Sequence, residues 1–376
     1  MGMDARVFLA EQGAVDIVLG ALKSHSESAV VLEHACGALI NLAIDRSIST
    51  HIGASGGIRA VMQSLSFATA GALQYNSDQA YESPAKSEGV EHGVLRIGLA
   101  ALANLAAAPQ NADLIGEEDG VAMIIEAVHV AFEDVSTTER ALDAETLMHT
   151  TELLRNLASS ALNRQRIVES GGVDLVVRAM RTHMHSHGAV PAREAAASVA
   201  AHQLPAKGLP FTEKVFPFDI QSAALIQSAA LHLMAKLAAD SQTRHAVFLP
   251  ATLPIVAEAM QEFDDQASVQ ESACRLISTL LQTMHLQHDS GSWPAHTAQL
   301  VQLSSRYHEM ALRAVDRHLA THDGDACWGL CEWLAEFHRN DQQQLSQPLI
   351  VTLLHELNAA RVHVSENSSS SSRARN

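Results

Sequence analysis

The sequence predicts an all-α protein, a helical solenoid of about six three-helix repeats interrupted by two long loop insertions. Three observations carry that expectation. A helix core written ACGALINLA (35–43) recurs as LAALANLA (99–106), TELLRNLA (151–158) and LHLMAKLA (231–238), and more faintly as ACRLISTLL (273–281) and ACWGLCEWL (326–334). A glycine-led helix recurs as QGAVDIVLGAL (12–22), SGGIRAVMQSL (55–65), DGVAMIIEAV (119–128) and SGGVDLVVRAM (170–180), with TLPIVAEAM (252–260) as a version lacking the glycine. Aromatics are only 4% of the chain, and no β-branched alternating run of strand type stands out.

The stretch 28–65 is the prototype of the repeat. Val31, Ala35, Ala38, Leu39 and Leu42 share the spacing of one buried helix face, and Ile58, Val61, Met62 and Leu65 do the same in the next helix. Gly56-Gly57 stops one helix and lets the chain turn sharply into another, because glycine lacks a Cβ. No helix here buries its apolar face alone; stacked copies do. Leu39, Leu102, Leu154 and Leu233 are the expected stacking column.

The glycine-led second helix and the A-x-x-x-L-x-N-L-A third helix resemble the armadillo repeat, the family of β-catenin and importin-α, over roughly residues 4–340. The resemblance implies a right-handed α-α superhelix whose third helices line a concave groove. It also implies that an extended peptide lies in that groove, its main chain held by one Asn per third helix. Asn41, Asn104 and Asn156 hold that position here, and Lys236, Thr279 and Glu332 replace it later. One turn earlier, where importin-α carries a Trp, stand Gly37, Ala100, Glu152, His232 and Arg275, and only Trp328 matches. Import-type cargo binding is therefore disfavoured. An amide offers both donor and acceptor, so an Asn row suits any backbone; it equally suits neighbouring backbone groups between repeats. Both readings stay open on the sequence.

Along the chain, helices are expected at 4–11, 14–23 and 28–43, then near 47–54 and 57–66. Residues 67–92 are polar and weakly periodic and read as a long loop. Repeats three and four follow from about 110 and from Asn163, the latter interrupted after Met184. The second insertion, 185–218, holds Pro191, Pro205, Pro210 and Pro217 together with Phe211, Phe216 and Phe218, candidate anchors for the protein's own surface or for a partner. Repeat five covers about 241–283, and a sixth runs to a closing helix at 342–358. The solenoid is thus expected over 1–361, followed by a disordered Ser-rich tail at 362–376. The first helix puts Val7, Phe8 and Leu9 where nothing precedes them, so either the start is not the natural one or another molecule covers this end.

Composition narrows the function classes. Net charge is −17, from 25 basic and 42 acidic residues, a poor match to nucleic acid. Four cysteines with neither a disulfide framework nor paired zinc spacing fit a reducing, cytosol-facing compartment, and there is no secretory-leader pattern or uninterrupted membrane-length run. Among 21 histidines, His183, His185 and His187 alternate, and His318 and His322 sit four apart, yet neither group makes a four-ligand set. Phosphate loops and nucleophile elbows are absent, since Ser55-Gly56-Gly57 and Ser170-Gly171-Gly172 recur as turns. The expectation is a non-catalytic scaffold without cofactor or metal. It binds a partner protein or extended peptide through Asn41, Asn104, Asn156, Glu152, His232, Lys236, Arg275, Trp328 and Glu332, or through the insertions. A co-chaperone that clamps a folded partner by repeat edges and loops is the alternative.

Overall fold

The structure is a computed structural model, and it describes residues 3–78, 88–136, 144–184, 220–247 and 252–285. The described residues are helical or lie in short turns, with no strand among them. The chain falls into two compact units, Met1–Ala246 and Val247–Asn376.

In the first unit the helices come in triplets. The first is α1 (Met3–Glu11), α2 (Ala14–Ser24) and α3 (Ala29–Leu42). The second is α4 (Arg46–Ala54), α5 (Gly57–Asp78) and α6 (Glu88–Ala106). The third is α7 (Pro109–Glu117), α8 (Gly120–Ser136) and α9 (Ala144–Leu157). Then come α10 (Ala161–Glu169), α11 (Gly172–Thr182) and α12 (Ile220–Ala239), followed by one 3₁₀ turn at Arg244–Ala246. Helices of the same rank pack on one another in chain order: α4 on α7 on α10, α2 on α5 on α8 on α11, and α3 on α6 on α9 on α12.

Local chemistry sets the starts and turns. Asp45 caps α4 by accepting from the backbone N–H groups of Ser47 (2.9 Å) and Ile48 (3.2 Å), and Pro109 opens α7, where a missing N–H costs nothing. The turn before each second helix is left-handed, with φ of +84° at Gly13, +82° at Gly56 and +79° at Gly171. Asp119 takes the same place at φ +56°, a conformation its short polar side chain tolerates better than most. The following glycine answers a different need. A Cβ on Gly57, Gly120 or Gly172 would lie 2.8, 2.6 or 2.8 Å from the carbonyl oxygen of Ile52, Ile115 or Ile167, so the second helix starts in backbone contact with the first.

The core lies between triplets. Leu39, Leu102, Leu154 and Leu233 are all fully buried. Counted from Asn41, Asn104, Asn156 and Lys236, however, the α12 member of the column is Met234, also buried, and Leu233 lies one position earlier. Buried polar side chains recur too. Asn111 on α7 donates to the carbonyls of Ser49 (2.9 Å) and Leu105 (3.0 Å), and Asn163 on α10 donates to that of Ala112 (2.8 Å). These buried amides satisfy backbone oxygens of neighbouring helices.

The expected loop at 67–92 is corrected. Helix α5 continues to Asp78 and α6 begins at Glu88. Ala68 stays in register with Leu65 and is buried, and the Thr69 hydroxyl donates to the Leu65 carbonyl at 2.9 Å within the same helix. Small residues with good helix propensity prolong α5 although the polar composition suggested a break. The insertion 185–218, with Phe211, Phe216 and Phe218, lies outside the described residues, as do the sixth repeat and the tail. In the second unit α13 (Thr252–Glu262) packs on α14 (Ala267–His285), and the Gln270 amide donates to the carbonyls of Met260 and Phe263, both at 2.9 Å. One described helix, Gln221–Ala239, is long and apolar enough for a membrane span by length and composition, and 67% of it is buried inside the protein.

Two outcomes are expected. Leu102→Ala opens a cavity between α6 and its neighbours and should lower unfolding free energy in urea by roughly 2–5 kcal/mol. The second concerns Arg164 on α10, which pairs with Asp240 after α12 at 2.8 Å. The backbone N–H of Gln242 and, to a smaller extent, the Arg164 guanidinium hold the Asp240 carboxyl below its ordinary value of 3.8, against the opposing effect of burial. The folded carboxylate therefore binds its proton less readily than the unfolded one. Its contribution is present at neutral pH and lost as pH falls below about 4. Asp240→Asn should lower the melting temperature at pH 7 and bring it closer to wild type at pH 3.

Candidate binding face

Third helices end with unpartnered backbone carbonyls, because the last turn of an α-helix has no following N–H groups to meet them. The side chains at the Asn position meet them instead, one helix to the next. Asn104 Nδ2 on α6 donates to the carbonyl of Ile40 on α3 at 3.2 Å. Asn156 Nδ2 on α9 donates to that of Ala103 on α6 at 3.0 Å. Lys236 Nζ on α12 donates to that of Arg155 on α9 at 2.9 Å. In every case the acceptor precedes the previous helix's own ladder residue by one position. Asn41 on α3 turns back to the carbonyl of Gly37 on its own helix at 3.1 Å.

Of the two readings the sequence left open, satisfaction of backbone groups between repeats is thus realised in the structure. The binding reading is narrowed by it rather than removed. Asn41, Asn104, Asn156 and Lys236 are all half-buried, so each reaches the surface at its edge. Among the described residues Asn104 makes only its one side-chain hydrogen bond, leaving Oδ1 and a second N–H for another molecule. Asn156 Oδ1 accepts from the Arg155 guanidinium at 3.4 Å, and Arg155 also pairs with Glu152 at 3.1 Å. Charge varies along the row. Glu152 is partly exposed one turn before Asn156, and His232 is half-buried at the equivalent place on α12. Burial lowers the Lys236 ammonium below its ordinary 10.5, and the nearby Arg155 and Arg164 charges act in the same direction.

Arg275 belongs to the second unit, where it is exposed and pairs with Glu271 at 2.8 Å. Trp328 and Glu332, like the three insertion phenylalanines, lie outside the described residues. Sequence reasoning missed Arg155 as both acceptor and neighbour of the row. It also missed the buried Asn111 and Asn163, although each stands six residues after a repeat leucine, Leu105 or Leu157. That spacing was the available signal.

Burial pushes the Cys36 thiol up to about 12 and raises that of Cys274 further, so neither supplies a thiolate at neutral pH. Among the described residues no three His, Cys, Asp or Glu side chains gather as a metal would need.

The ladder makes a direct prediction. Asn104→Ala removes the donor at the Ile40 carbonyl and should lower unfolding free energy by roughly 0.5–1.5 kcal/mol in urea melts. Asn41→Ala removes only a bond within its own helix and should change it little. Equal effects at both positions would remove the inter-helix role. No protein-family model matches this chain, and no curated protein matches it, so its own geometry carries the functional reading.

Proposed function

We propose that the protein is a non-catalytic armadillo-type scaffold that holds an extended segment of a partner polypeptide along its third helices. One observation carries this reading. Successive third helices present amides in one register, at half-exposed positions, each with hydrogen-bonding capacity beyond what the neighbouring helix uses. A row of amides at repeat spacing suits a main chain, whose own donors and acceptors recur along its length, and it needs no particular partner sequence. Glu152, Arg155, His232 and Lys236 then supply the charge preferences along the row. The acidic chain, with net charge −17, favours a basic or neutral segment. A reducing, cytosol-facing setting belongs to the same proposal, resting on free cysteines at Cys36 and Cys274.

The test starts from affinity purification with identification of bound proteins, followed by mapping of the bound segment. Changing Asn41, Asn104 and Asn156 together to Ala should weaken that segment by roughly tenfold or more, with helical circular dichroism retained. Undiminished binding by the folded triple variant would sink the groove reading. Deletion of 188–215, measured beside it for melting temperature and affinity, asks whether the insertion contributes. A folded deletant with unchanged affinity assigns binding to the helices alone.

A further inference from the structure

Charge is uneven along the amide row. On α3 and α6 the positions one turn and one residue before the ladder Asn are Gly37, Ile40, Ala100 and Ala103, none of them ionisable. On α9 and α12 the same positions hold Glu152, Arg155, His232 and Ala235, and the ladder residue of α12 is itself Lys236. An amide suffices for the ladder bond on α6 and on α9, so a lysine at this place adds a charge that stacking does not require. Arg155 pairs with Glu152 at 3.1 Å, and Arg164 with Asp240 at 2.8 Å. Lys236 has no such relief. Its Nζ donates to the uncharged carbonyl of Arg155, and no carboxylate pairs with it among the described residues.

Burial first, and then the Arg155 and Arg164 charges, disfavour the charged form of Lys236, so those cations lie close enough to repel it. Arg244 adds to the excess. Its charge acts on Asp240, and its buried Nε has no hydrogen-bond partner among the described residues. The cations Arg155, Arg164, Lys236 and Arg244 thus stand against the carboxylates Glu152 and Asp240, in a chain whose net charge is −17. We propose that this end of the row binds an acidic side chain, Asp or Glu, of the extended partner segment against Lys236 and Arg155. The proposal rests on the amide row as a main-chain site and adds what one side chain of the segment must be. A half-buried ammonium attracts a carboxylate more strongly than an exposed one, because water screens it less. Arg155, with 33% of its side chain exposed, offers guanidinium N–H groups beside it. Overall charge still favours a basic or neutral segment at long range. The acidic residue sets the segment's register, since only the α9 and α12 end of the row accepts it.

The probe is a displayed library of random peptides of about twelve residues, long enough when extended to cross four helices packed about 10 Å apart. Peptides selected on the full wild-type chain should share an Asp or Glu at one position, and those selected on Lys236→Gln should not. Gln keeps an N–H donor for the Arg155 carbonyl, and an unchanged melting temperature checks that the ladder survives. Arg155→Gln, which leaves every ladder donor in place, is the second variant and should reduce the same preference. Replacing the shared acidic residue of a selected peptide by its amide should weaken binding to wild type about tenfold at low salt. Binding to Lys236→Gln should change less than about twofold. Peptides without a shared acidic position, or with one retained on both variants, overturn the proposal and leave the row intact. The row is judged separately by changing Asn41, Asn104 and Asn156 together to Ala. That variant should lower recovery of all peptides while keeping the acidic preference of those that remain. Undiminished recovery by it, or no recovery by wild type, removes the row and this proposal with it.

Discussion

Burial of aliphatic faces between successive third helices is the interaction on which the rest of the first unit depends. A triplet of helices of 9–22 residues has too little interior to hold its own apolar stripes, so the stripes face the next triplet. Leu39, Leu102 and Leu154 sit at the centre of those contacts, fully buried. Close approach is the condition for it. Gly57, Gly120 and Gly172 let each second helix begin against the carbonyl of an isoleucine in the helix before, which brings the rows into register. The glycines follow from stacking rather than from any chemistry of a ligand, even though Ser-Gly-Gly in isolation resembles a phosphate turn.

The amide ladder follows from the same stacking. Once third helices lie side by side, the last-turn carbonyls of one helix are within reach of the next, and burial makes an unpartnered oxygen costly. Asn104 and Asn156 supply the donor, and Lys236 supplies it with a charge instead of an amide. That substitution keeps the structural bond while exchanging an acceptor-bearing group for a donor-only one. The row is thus chemically uneven for a bound main chain, with amides on three helices and an ammonium on the fourth. Each amide has more bonding sites than the ladder consumes.

Much of this was legible in the chain before any coordinate. Helix class, the left-handed turns at Gly56 and Gly171 and the buried leucine column all follow from short-range pattern, because each depends on residues within one or two helices. Three features were decided only by tertiary structure. Helix α5 runs on to Asp78 and packs on α6 and α8, elements that no local window around 67–78 contains. Lys236 replaces the amide yet keeps the donor role, because a long flexible stem spans the same gap. Most telling are Asn41 and Asn104, which share the local sequence Ala-Leu-x-Asn-Leu-Ala yet bond differently, one to Gly37 on its own helix and one to Ile40 on another. A side chain's identity and its place on a helix are written locally. Its hydrogen-bond partner belongs to whichever element packs beside it, and packing is a property of the assembled chain.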